Sequence, residues 1–139
     1  MTTSAAQASK IMQELGANAC TDVTGFGLLG HAYEMAKGSK VCLNIDSTMV
    51  PLLPDVLELI EQKMLTRGDK NNRVYVGDTI NIAENVSKEM QSALFDPQTA
   101  GGLLISLEKE KAHRLINQVE GAKIIGSVET FKENLINVY

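Results

Sequence analysis

Three glycines fall within the six residues Gly25 to Gly30 (GFGLLG), directly behind the polar run Thr21-Asp22-Val23-Thr24 and directly ahead of an apolar helical pattern. Glycine gives up more backbone freedom on folding than any other residue, so this density requires a tight turn or a close approach to the main chain. A helix then runs from about Phe26 to Ala36, with Leu28, Leu29, Ala32, Tyr33 and Ala36 on its buried face and Gly38 as its stop. The whole stretch, Thr21 to His31 (TDVTGFGLLGH), holds one carboxylate, two hydroxyls and a histidine at the mouth of that helix. The rest of the chain must be arranged around this turn.

The letters fit the dinucleotide-binding pattern G-x-G-x-x-G, and Asp46 follows at about the 20-residue spacing of a ribose-binding acid. That fingerprint needs a buried apolar strand immediately before the first glycine. Asn18 to Thr24 is too polar to be a central strand, so the dinucleotide reading is set aside. Asp22 then has two readings. It is a helix cap or Asx-turn, or it is a ligand for a hard cation. One carboxylate does not hold Mg²⁺ alone, because this ion keeps waters and leans on phosphates with one or two carboxylates. Thr21 and Thr24 read as turn-capping residues, and His31 as a surface or interface residue. His113 lies on the polar side of its helix. The pair Gly101-Gly102 marks a tight turn or an anion-cradling nest of N–H groups. Cys20 and Cys42 have neither CxxC nor metal spacing and read as reduced, buried, inert thiols. No complete catalytic set of side chains emerges.

With 139 residues the chain predicts a single domain, residues 1–139. It is 44% hydrophobic and 22% charged with a net charge of −4, and no Lys/Arg cluster suggests nucleic acid or an anionic membrane as partner. No apolar run approaches the roughly 20 residues of a membrane span, and the start lacks a signal-peptide core, so the expected location is cytoplasmic. Apolar spacing predicts helices over 4–15, 54–63, 87–94 and 108–119, and strands over 40–46, 103–107, 122–129 and 135–139. Residues 66–85 read as an extended, partly exposed segment with weak alternations at Val74/Val76 and Ile80/Ile82. The last two strands are close enough for a hairpin. The pattern predicts an α+β domain with a mixed sheet.

Two stretches, TDVTGFGLLGH and FDPQTAGGLLIS, closely resemble the signature sequences of the C-terminal domain of the selenophosphate synthetase (selenide, water dikinase) family. Between them, VPLLPDVLEL is similar to the family's helix after its second strand. GDKNN resembles its Gly-x-x-x-Asn segment, and AKIIGSV its final-strand motif. The resemblance implies a three-layer α/β/α fold with a mixed sheet, like the C-terminal domain of aminoimidazole ribonucleotide synthetase. It implies a two-domain enzyme that makes selenophosphate, AMP and phosphate from ATP, selenide and water, using Mg²⁺. By motif match Asp22 is the Mg²⁺ ligand, and Thr24, Gly25 and Gly27 lie on the phosphate side of the ATP.

The family's N-terminal ATP-binding domain, with its catalytic Cys or selenocysteine and Lys, has no counterpart in this sequence, and neither Cys20 nor Cys42 matches that cysteine. The implied partners are therefore ATP, selenide and that N-terminal domain, with a homodimer expected for the full-length protein and an inactive isolated chain. Ala100 stands where the family usually has Ser, and Asp69 and Lys70 alter the Gly-x-x-x-Asn segment. The alternatives are a related ATP-dependent synthetase or kinase, or a stand-alone ligand-binding or interaction module.

Overall fold

The computed structural model describes residues 2–139. The chain runs α1 (Thr2–Leu15), β1 (Ala19–Asp22), α2 (Gly27–Ser39), β2 (Val41–Ile45), α3 (Val56–Glu61), α4 (Arg67–Val76), β3 (Ile80–Ile82), α5 (Lys88–Phe95), β4 (Leu103–Ser106), α6 (Lys109–Ile116), β5 (Gly126–Thr130) and β6 (Ile136–Val138). It is an α+β domain containing a mixed sheet, as expected. Most predicted elements are present with slightly different ends. Gly16 stops α1 at a φ of 70°, and Ser87 caps α5 by accepting a hydrogen bond from the Met90 N–H at 3.1 Å.

Two sheets form. The larger has the order β3-β6-β2-β5, with β6 parallel to β2 and β3 and with β5 antiparallel to β2. Its register separates the faces cleanly. Ile80, Ile136, Leu43 and Val128 form one row across all four strands, and Asn81, Asn137, Asn44 and Ser127 form the neighbouring row. Adjacent rows point to opposite faces, so one face of the sheet is apolar and the other polar. The apolar face meets α2, α5 and the end of α4 in a core centred on Leu29, Leu94, Ile136 and Val138, each 1% exposed or less. The smaller sheet is a ribbon of β1 and β4, paired antiparallel with Asp22 opposite Leu103. Leu103 and Ile105 join Ala8, Ile11, Leu15, Leu115 and Val119 in a second cluster between the ribbon and helices α1 and α6. Leu104 turns the other way, into the main core. The ribbon therefore lies between α1/α6 and α2. Leu29→Ala is expected to lower unfolding free energy by about 3 kcal/mol, the usual cost of truncating a fully buried leucine, measured by urea titration.

Three expectations are corrected. The last two strands do not form a hairpin, because β2 lies between them and pairs with both. The segment 66–85 is not extended throughout: α4 occupies Arg67–Val76, and only Ile80–Ile82 is a strand. The third concerns α3, which spans only six residues and buries none of them. It leaves Leu53, Leu57 and Met64 exposed rather than packed inward. Among the described residues, no helix is long and apolar enough to cross a membrane.

Candidate functional site

The β1–β4 ribbon builds the site. At one end β1 finishes at Asp22 and runs into the turn before α2, while β4 begins immediately after Gly101-Gly102. Both glycine-bearing loops thus leave the same end of one ribbon. Main-chain bonds fasten them together. Val23 N donates to Gly102 O at 2.9 Å, Gly101 N to Val23 O at 2.9 Å, and Gln98 N to Thr24 O at 3.0 Å. Gly27 N also donates to Thr24 O, at 3.0 Å, which closes the turn.

Gly27 has a φ of 66°, and a Cβ there would lie 2.7 Å from the carbonyl carbon and oxygen of Phe95. Its missing side chain is what lets the second loop approach. A Cβ on Gly101 would lie 2.9 Å from Val23 O, so the same argument applies from the other loop. Gly30 makes room for the Phe26 Cβ, and the Phe26 ring stacks on Tyr75 with centroids 4.9 Å apart and tilts against His31. His31 Nε2 lies 3.1 Å from Thr24 Oγ1, which places these two motif residues in direct contact.

Between the loops is a hollow of about 180 Å³, lined by Asp22, Val23, Thr24, Thr99 to Leu103 and Ala5 of α1. Of the predicted site residues, the structure brings Asp22 and Thr24 to this hollow. Gly25 and Gly27 shape the turn beside it without lining it. Asp22 is exposed, and among the described residues its carboxylate has no hydrogen-bond or ion-pair partner. The N-cap of α2 is Phe26, without a side-chain cap. Asp22 is therefore not the helix cap that its position suggested, and among the described residues its carboxylate is uncommitted.

α4 holds the two loops from behind. Asn72, 5% exposed, donates from Nδ2 to Gly25 O at 3.0 Å and to Phe95 O at 2.8 Å. Asp69, also 5% exposed, accepts from Arg73 Nε at 2.8 Å and from Ser92 Oγ at 3.2 Å, while the Arg73 guanidinium lies over the Phe95 ring at 4.7 Å. Thr66 Oγ1 donates to Asp96 Oδ1 at 2.8 Å, and Gly68 packs directly under the Pro97 ring. None of these residues was given a site role from the sequence, although Gly68, Asp69 and Asn72 belong to the GDKNN segment and Asp96 and Pro97 to the second signature. Their signal is the spacing of Asp69, Asn72 and Val76, which share one buried helical face. Asp69→Ala removes a charge-assisted bond inside this network and is expected to destabilise the chain by about 2 kcal/mol, read by thermal unfolding.

Cys20 follows Ala19 on β1 and is exposed, not buried as expected, whereas Cys42 is buried. Partial desolvation of the Cys20 sulfur by its neighbours, and then the nearby Asp22 carboxylate, raise its thiol above the ordinary range. A nucleophilic cysteine needs the opposite shift. Its alkylation by iodoacetamide at pH 8 is expected to be several-fold slower than that of glutathione, because a smaller fraction is thiolate.

The donor set limits what metal chemistry is possible here. Among the described residues, no three His, Cys, Asp or Glu side chains are grouped closely enough to cage a metal. Asp22 fits a single carboxylate ligand to a hydrated Mg²⁺ whose other ligands are phosphate oxygens and outside carboxylates. It does not fit a metal held by this chain alone.

The fold also disposes of a dinucleotide site. β1 does precede the glycines, but it pairs antiparallel in the ribbon, while β2 belongs to the other sheet. No parallel β-α-β crossover connects them, and the phosphate-binding turn of that fold depends on one.

Residues 1–135 match the family described as "AIR synthase related protein, C-terminal domain", and the chain belongs to that family. Within it, the sequence is similar to selenide, water dikinases. It is 44% identical to that of Treponema denticola over 142 residues, which covers 96% of this chain and 40% of the relative. It is 43% identical to that of Caldanaerobacter subterraneus over 132 residues, covering 91% of this chain and 38% of the relative. With that of Clostridioides difficile the identity is 39% over 136 residues, covering 94% and 39%. The chain spans about two fifths of the length of these relatives and corresponds to their C-terminal part.

Proposed function

We propose that this chain is the C-terminal domain of a selenophosphate-forming enzyme, one that converts ATP, selenide and water to selenophosphate, AMP and phosphate. In this reading it supplies one Mg²⁺ ligand, Asp22, and one wall of the ATP cleft. The observation that carries it is the exposed Asp22 carboxylate, without a partner among the described residues, beside a hollow formed by two interlocked loops. Such rigidity suits phosphoryl transfer, in which catalysis is mostly positioning and neutralisation of phosphate charge. Mg²⁺, when bound, would supply that neutralisation.

In this reading each of the chain's own residues has a role that its place supports. Asp22, at the end of β1, would hold the metal. Thr24, steadied by His31, with the turn through Gly25 and Gly27, forms the phosphate side. Ala100 leaves the second loop without a hydroxyl at that position, so this loop acts through its main chain and Thr99. The remaining metal ligands and the group that receives selenide belong to the N-terminal domain of the longer relatives. The isolated chain is then inactive, and a homodimer and a cytoplasmic setting belong to the assembled enzyme.

The test is reconstitution. The N-terminal segment of the Treponema denticola relative is mixed with this chain, and ³¹P NMR follows ATP with and without selenide. Selenophosphate and AMP are expected only with both pieces and selenide present. ATP cleavage that ignores selenide but responds to another acceptor would move the chain to a related synthetase or kinase. No cleavage, from pieces that demonstrably bind each other, would favour a binding module.

A further inference from the structure

We propose that Asn72 is a positioning residue that locks the two loops into one hollow. The bonds joining the loops directly, from Gln98, Gly101 and Val23, all connect main-chain groups near the ribbon end. Further back, where the first loop enters α2 and the second leaves α5, the contact is a bare packing of Gly27 on the Phe95 and Asp96 carbonyls. Two carbonyls, those of Gly25 and Phe95, face the same place from opposite loops. The carboxamide of Asn72 bridges them with one nitrogen, at 3.0 and 2.8 Å.

A carboxamide nitrogen carries two hydrogens, so it satisfies both carbonyls at once. Without it, two acceptors would face each other in a site where Asn72 itself is 5% exposed. Their mutual repulsion and lost hydrogen bonding would push the loops apart. The side chain is itself fixed. Val76, one turn further along the same face, is in the main core, and Asp69 on the preceding turn is bonded to Arg73 and Ser92. α4 is thus a brace, with Asn72 as its contact to the site. This deepens the metal–ATP reading above, on which it rests only for what the hollow binds.

Amide hydrogen exchange in this chain tests the clamp without any ligand, so its outcome is separate from that of the reconstitution. The amides to follow are Gln98 and Gly101, whose hydrogens bridge the loops, with the Leu43 amide in the large sheet as the reference. Asn72→Ala and the space-filling Asn72→Leu are expected to speed exchange at Gln98 and Gly101 by at least about tenfold relative to Leu43. Asn72→Ser keeps one hydroxyl donor and should fall between these and the wild type. It also carries the test if the other two variants do not fold. Val138→Ala, which removes stability from the main core, should move all three amides together. Unchanged Gln98 and Gly101 exchange in the Asn72 variants, or restoration of slow exchange by leucine, would overturn the proposal. The second result would mean that Asn72 only fills space.

Discussion

Asp22→Asn, introduced into the reconstituted enzyme, is expected to lower Mg²⁺-dependent selenophosphate formation by about 100-fold, and the residual rate should demand more Mg²⁺. The change keeps the side chain's shape and removes its charge. A metal ligand that neutralises phosphate charge is affected by that loss, and removing one such electrostatic contact commonly lowers turnover by 10²–10³. The same position should matter little to folding. Asp22 is exposed, and its carboxylate has no partner among the described residues. Asp22→Ala in the isolated chain should therefore leave unfolding free energy within about 0.5 kcal/mol of wild type, as at other unengaged surface sites. A helix cap would lose about 1 kcal/mol in that measurement. Large loss of activity with no loss of stability separates a ligand from a structural aspartate. Equal activity in wild type and Asp22→Asn would remove Asp22 from the metal site.

Gly27→Ala should give the converse pattern, failing in the isolated chain. The backbone there has a φ of 66°, which costs about 1–2 kcal/mol for a residue with a Cβ. The added methyl would also meet the Phe95 carbonyl at 2.7 Å and the Asp96 oxygen at 2.9 Å. Those atoms are main chain and cannot rotate away, so the second loop itself must shift. The combined loss should reach about 3–4 kcal/mol in a denaturant titration. Gly25→Ala provides the contrast within one motif. A Cβ at Gly25 meets nothing within 4 Å and the residue has no left-handed φ, so its effect should stay within about 1 kcal/mol. Similar losses at both positions would mean that the loops are not in contact as described.

How much of this was legible in the sequence depended on which kind of residue faces inward. α2, α5 and α6 bury apolar side chains at helical spacing, and α2's Leu29, Ala32, Tyr33 and Ala36 were all anticipated. α4 uses the same spacing with different chemistry. Its inward residues are Asp69, Asn72 and Val76, so a search for apolar periodicity sees only a polar stretch. The resemblance marked Gly68 to Asn72 as a family segment, but neither its helix nor its bracing role was visible from spacing. α3 shows the reverse error, since its apolar residues matched a buried face, yet it touches α5 with only Val56 and Ile60 half-buried and leaves Leu57 and Leu59 exposed.

The strand before the glycines was hidden for a third reason. β1 lies in a two-stranded ribbon, and its burial alternates between half-buried and exposed residues. Only a central strand needs a continuous apolar run. The site itself was half legible. Asp22, the three glycines of Gly25 to Gly30 and the pair Gly101-Gly102 stood out as motifs, and the resemblance joined them. That Gly101-Gly102 faces Val23 depended on antiparallel pairing of strands about 80 residues apart, for which local spacing has no signal.

Paramagnetic broadening most directly tests the central claim that these two loops form one side of a metal–ATP site. With only this chain ¹⁵N-labelled in the reconstituted enzyme, Mn²⁺ is added in place of Mg²⁺ together with ATP, and loss of amide signals is mapped. The account predicts broadening concentrated at residues 21–25 and 99–103, dependent on ATP and abolished by Asp22→Asn. Broadening centred elsewhere on the chain, or unchanged by Asp22→Asn, would contradict it.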